Sequence, residues 1–165
     1  MGSVQEVYRW VREDKVDMCF ASHQEGGNFD WIHLRNDPLL AILPPGYDLR
    51  GCSSLPVSRL EGLDFLMPSL GFHLDIMRAL GDVKPNIQQT HVNDSVIISM
   101  VEHGLGVSIL SELVLRGRRD NVVAVPLDPP AVRELGIAVR SKKELRPIAR
   151  RFITETKEIL ENIPL

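Results

Sequence analysis

The stretch that most constrains this chain runs from Val92 to Leu115, VNDSVIISMVEHGLGVSILSELVL. Asn93 or Asp94 can cap a helix, because a short polar side chain there accepts a bond from an otherwise unpaired N–H of the first turn. Val96, Ile97, Ile98, Met100 and Val101 then predict an apolar helix with little exposed face. Gly104 ends it where a left-handed residue is wanted. Val107, Ile109 and Leu110 read as a short buried strand, and Ser111 with Glu112 opens another helical turn. Helix, glycine corner, buried strand and second helix, packed this tightly, belong inside an α/β sheet.

With 165 residues, 44% of them apolar and 25% charged, the chain can bury a core as one domain or two small lobes. A net charge of −3 argues against a nucleic-acid grip by this stretch itself, since phosphate binding needs clustered Lys and Arg. Arg116-Gly117-Arg118-Arg119 is too short to change that and reads as a solvated helix end. No apolar run is long enough for a membrane span, and Met-Gly-Ser-Val-Gln lacks the apolar centre of a signal peptide. Cys19 falls in a predicted buried strand and Cys52 in a loop. Without Cys-x-x-Cys spacing they suggest a reducing, cytoplasmic setting with no disulfide framework.

Val4, Val7, Tyr8 and Val11 predict an amphipathic helix, followed by a strand from Val16 to Ala21. Trp31 to Asn36 and Leu39 to Leu43 read as two strands divided by Asp37-Pro38. Gly51 to Pro56 is polar and rich in breakers, so it reads as a hinge before a helical turn at Val57–Leu60. A strand from Leu63 to Met67 precedes a helix with Phe72, Ile76, Met77 and Leu80 on one side. Asn86 to Val92 reads as a strand that feeds the central unit. Val122 to Leu127 and Leu135 to Arg140 are strands separated by Asp128-Pro129-Pro130. Pro147 suits a first helical position. Ile148, Phe152, Ile153, Ile159, Leu160 and Ile163 stripe the closing helix.

The Gly104-Leu105-Gly106-Val107-Ser108-Ile109-Leu110 segment resembles the effector-binding domain of LysR-type transcriptional regulators, which carry an "aGlGiallP"-like run. Ser111 stands where that run has proline. The Val16–Ala21 strand, with Asp17 at the usual acidic position, resembles the family's "l..g.lDlai" element. Leu135 to Arg140 resembles its "l.lv.r" strand. The resemblance implies a two-lobed type II periplasmic-binding-protein-like α/β fold around a ligand cleft. Residues 1–58 and 134–165 would form a partial first lobe, short of the family's opening strand–helix–strand, and 59–133 the second. It also implies a homodimer or homotetramer, with DNA bound through a separate amino-terminal winged helix-turn-helix. The alternative is a free-standing solute-binding protein of the same fold.

The five histidines form no His-x-x-x-His or His/Cys set, so no metal or other cofactor is expected. No Gly-x-Ser-x-Gly elbow occurs, and an enzyme is not the reading. Asp17 reads as a solvent-side carboxylate. Ser69, Leu70, Gly71 and Asn93 stand at helix starts after strands, where free N–H groups and the helix dipole favour an anion. Ser69 and Asn93 also suit simple capping. Ser22 and His23 lie at the carboxyl end of a strand, where ligands gather in open α/β sheets. These six are the candidate ligand-binding residues, for a small anionic metabolite.

Overall fold

The computed structural model describes residues 4–24, 28–68, 73–117 and 121–163. By compactness the chain forms two units, Met1–Asn36 with Glu134–Leu165, and Asp37–Arg133. The divisions fall inside two long strands, β2 (Asp30–Leu43) and β7 (Val123–Val139), rather than at the Gly51–Pro56 breakers. Residues 37–58, grouped with the first lobe in the sequence reading, thus group with 59–133 by compactness.

In the first unit, β1 (Met18–Ser22) pairs antiparallel with the end of β7, from Met18↔Val139 to Ser22↔Leu135. β7 lies between β1 and β2. Successive side chains of a strand point to opposite faces, and the packing follows that alternation. Cys19 and Ala138 meet Tyr8 and Val11 of α1 (Val4–Arg12) on one face. Ile137 and Val139, with Ile32, meet Ile153 of α5 (Pro147–Asn162) on the other.

The second unit holds β3 (Leu55–Pro56), β4 (Asp64–Met67), β5 (Asn86–Gln89) and β6 (Ser108–Ser111). β4 and β5 run parallel, Asp64↔Asn86 through Met67↔Gln89. On its other side β4 meets the lead-in to β6, with Leu66 N–H donating to Val107 O and Val107 N–H to Asp64 O, both at 2.8 Å. β6 then pairs antiparallel with β2, from Leu39↔Ser111 to Ile42↔Ser108. Short β3 joins β7 at Leu55↔Leu127. Phe65, Met67, Leu39, Ala41 and Ile109 face Ile76 and Leu80 of α2 (His73–Leu80). Leu66, Ile42 and Leu110 face Ile97, Ile98 and Val101 of α3 (Asp94–Glu102). Each helix thus covers one face of the same strands. A short 3-10 turn, Val57–Leu60, buries Val57 and Leu60.

The central unit folds as expected, with α4 (Glu112–Leu115) after β6. Gly104 has φ +72°, and a Cβ on Gly106 would lie 2.7 Å from Asp64 O. That close approach is what lets Val107 dock on β4. Other expectations need correction. β2 is one continuous strand through Asp37-Pro38, and β7 runs through Pro129-Pro130. Proline breaks a ladder only where its missing N–H is needed. β2 takes up β6 only from Leu39, after Pro38. In β7, Pro129 and Pro130 lie between the segment beside β3 and the segment beside β1. On α5 the buried residues are Ala149 and Ile153, while Ile148, Phe152, Ile159 and Ile163 are exposed. Phe72 and part of the Arg116–Arg119 run lie outside the described residues.

Candidate effector site

In the second unit, two parallel strands end level and each feeds a helix. β4 leads through Pro68 toward α2, and β5 leads through Thr90 to Asn93 into α3. Thr90 ties the strand ends together: its hydroxyl donates to Met67 O at 2.8 Å and its N–H to the same oxygen at 3.3 Å. The carboxyl ends of neighbouring parallel strands are where open α/β sheets receive ligands. Asn93 is the N-cap of α3, its side-chain oxygen accepting from Val96 N–H at 3.1 Å. The capping role is therefore occupied, which leaves its amide NH2 as the group able to meet a ligand. Asp94 sits in the first turn beside it and already places negative charge on that helix end. Ser69, Leu70 and Gly71 lie outside the described residues.

In the first unit, Ser22 is buried and its carbonyl accepts the Tyr8 hydroxyl at 2.9 Å. His23 extends the ladder, its N–H donating to Glu134 O at 2.8 Å. The imidazole lies 5.0 Å from the Trp31 ring, and Nδ1 is 3.8 Å from a Glu134 carboxylate oxygen. Trp31 Nε1 is buried without a hydrogen-bond partner among the described residues. An unsatisfied buried donor costs about 1–3 kcal/mol, so this indole is a stored polar demand beside His23. Sequence reasoning missed Trp31, Glu134 and Thr90. Glu134 stands opposite the end of β1 only through the antiparallel register, which no local pattern reveals.

A third constellation was also missed. Asp37 is buried, and its Oδ2 accepts from Arg133 Nε at 2.8 Å and pairs with Nη2 at 2.7 Å. Its Oδ1 accepts the Leu113 N–H at 3.1 Å, and Arg133 Nη2 donates to Ser111 Oγ at 3.0 Å. Ser111 is the N-cap residue of α4 but makes no side-chain cap bond there. Its hydroxyl serves Arg133, and Asp37 satisfies the helix N–H instead. A proline at 111 could not accept that bond.

Among the described residues no three His, Cys, Asp or Glu side chains gather as a possible metal set. No described helix is long and apolar enough to cross a membrane.

A family model described as the LysR substrate binding domain matches residues 1–161. The chain belongs to that family. This LysR substrate-binding domain is 29% identical over 164 residues to the HTH-type transcriptional regulator YvbU of Bacillus subtilis (strain 168), covering 96% of the chain and 55% of YvbU. It spans about half the length of the curated relatives it matches. Among solved structures, the CcmR regulatory domain of Synechocystis PCC6803 in complex with 2-PG superposes with a TM-score of 0.84 at 20% identity. The match covers 99% of the chain and 82% of that domain. The effector-binding domain of QuiR in complex with shikimate gives 0.83 at 16% identity, over 99% and 81%. The fold is thus the two-lobed α/β fold of LysR regulatory domains, and the family is one of transcriptional regulators, not enzymes.

Proposed function

We propose that this chain is the effector-sensing part of a cytoplasmic LysR-type regulator that assembles as a homodimer or homotetramer and binds DNA through a separate winged helix-turn-helix. The observation that carries the reading is the pair of parallel strand ends, β4 and β5, clamped by Thr90 and feeding two helix starts. Free N–H groups at such starts, reinforced by the helix dipole, favour a small anion. Each helix carries a carboxylate in its first turn, Asp75 in α2 and Asp94 in α3, so charge alone favours neither start. Ser69, Leu70 and Gly71 are proposed to meet the effector ahead of α2, with Asn93 alongside through its NH2. Ser22 and His23, at the end of β1, are proposed as ligand-binding residues of the first unit taken by itself. That relatives of the same fold are described in complex with 2-PG and with shikimate supports a small polar effector.

Ser69→Ala tests the assignment. Losing a hydrogen bond to a charged group costs roughly 1.5–3 kcal/mol, about ten- to hundredfold in affinity. Calorimetry with an effector found by screening small carboxylates and phosphates is expected to show that loss, with the unliganded thermal midpoint nearly unchanged. A variant that loses stability and keeps its affinity would make Ser69 a helix cap only.

A further inference from the structure

In the first unit, β2 and α5 pack closely along one half of the helix and leave a groove along the other. Ile32 is buried against Ile153, and Leu34, two residues on and so on the same face of β2, packs at the margin of that cluster. Along α5 the inward side continues from Ile153 to Lys157, Leu160 and Glu161, at four, seven and eight residues on. An apolar residue at 157 would seal the helix onto the strand, and the chain has lysine there. The buried residues of α5, Ala149 and Ile153, accordingly both stand in its first half. Beyond them lies a groove of about 530 Å³, within the range of small-molecule sites. Leu34, Leu160 and Ile163 give it an apolar lining, and Arg35, Lys157 and Glu161 bring charge to it. Neighbouring cations of α5 are occupied: Arg151 pairs with Glu155 at 2.7 Å, and Arg150 donates to Lys143 O at 2.7 Å and Leu145 O at 3.0 Å. Arg35 and Lys157 make no ion pair among the described residues. His33 also lines the groove, with Nε2 2.9 Å from Asn36 Oδ1. That oxygen only accepts, so Nε2 carries the proton and the neutral ring is left with an acceptor at Nδ1. An anion in the groove therefore falls to Arg35 and Lys157.

We propose that this groove is a second small-molecule site and that its ligand is an amphiphilic monocarboxylate, one carboxylate on an aliphatic or aryl body. The body lies along Leu34, Leu160 and Ile163, and the carboxylate takes Arg35 and Lys157. Charge sets the class. Two cations against the one carboxylate of Glu161 leave a single positive charge, which matches a monoanion better than a dianion such as a phosphate ester. The apolar lining sets the rest, because a carboxylate without a body would leave Leu34 and Leu160 in water. Every residue of the groove belongs to the first unit, and the proposal stands apart from the effector reading.

Octanoate is the probe, titrated into the unliganded protein and followed by amide NMR shifts. Shifts are expected at residues 33–35 and 157–163. Binding is expected to be about tenfold weaker or more for octan-1-ol, which lacks the charge, and for acetate, which lacks the body. Charge variants give the sharper test, because their signs are opposed. Arg35→Gln with Lys157→Gln is expected to weaken octanoate about tenfold, and Glu161→Gln to tighten it about two- to fivefold. Lys157 and Glu161 are exposed and Arg35 is half-buried, so the thermal midpoint of each variant should stay near that of the parent. Octan-1-ol or acetate binding as well as octanoate would overturn the proposal. So would charge variants that move the affinity in one direction or not at all, or shifts of equal size around Ile148 and Phe152 on the other stripe of α5. Shifts confined to Thr90–Asn93 would overturn it too, while leaving the strand-end reading in place.

Discussion

Asp37 and Arg133 form the buried ion pair of the described structure, with side-chain exposures of 0% and 13%. Removing one member of such a pair strands the other charge, which costs far more than the pair contributes. Arg133→Ala is therefore expected to lower unfolding stability by about 3–5 kcal/mol in urea titration. Asp37→Leu combined with Arg133→Met should recover only part of that loss, because the Leu113 N–H and the Ser111 hydroxyl still lose their partners; an equal loss in both would place the effect elsewhere. The pair was illegible in sequence because its members stand 96 residues apart, and Asp37-Pro38 looks locally like a turn. The cysteines were legible. Cys19 is buried and Cys52 exposed, and burial pushes the Cys19 thiol above its ordinary range. A raised folded-state value favours the folded form while the thiol is neutral. That contribution is complete below the unfolded value and fades as pH rises through the folded one. Thiol titration of the native protein is expected to modify Cys52 promptly and Cys19 only on unfolding; equal rates would contradict its burial.

α3 and β6 show which elements a sequence declares. A capping Asn93, an apolar run and the Gly104/Gly106 corner are all local, and the structure adds only which face turns inward. That face can be measured. Ile97 is fully buried and Val96 is 41% exposed. Ile97→Ala is expected to cost about 2–5 kcal/mol and Val96→Ala within about 0.5 kcal/mol of nothing. Similar losses at both sites would mean a differently rotated helix. β2 and β7 were harder to read, because a proline in sequence looks the same whether or not its position needs a ladder N–H. α5 misled for another reason. Its apolar residues form two stripes, and nothing local distinguishes the stripe against Ile137 and Val139 from the one carrying Phe152. Only the strand partners decide it.

At the scale of the whole molecule, family membership was legible because the Gly104–Leu110 run and the order of flanking elements resemble the family pattern. The site was less so. Asn93 is held as a cap, Ser22 by the β1 ladder, and Trp31 with Glu134 entered only through strand register. A ligand shifts a protein between states only as far as it prefers one of them, so effector sensing requires measurable binding to the folded chain. Thermal denaturation against a panel of small carboxylates and phosphates, shikimate included, tests this most directly. A true effector at about a hundred times its Kd adds roughly 2.7 kcal/mol of stability. For a chain of this size that is about 5–11 °C in Tm, and a ten- to hundredfold loss of affinity in Ser69→Ala should cut the shift by roughly half or more at the same concentration. A panel in which no compound raises Tm, or in which the shift survives Ser69→Ala, Asn93→Ala and His23→Ala alike, would contradict effector binding at these strand ends.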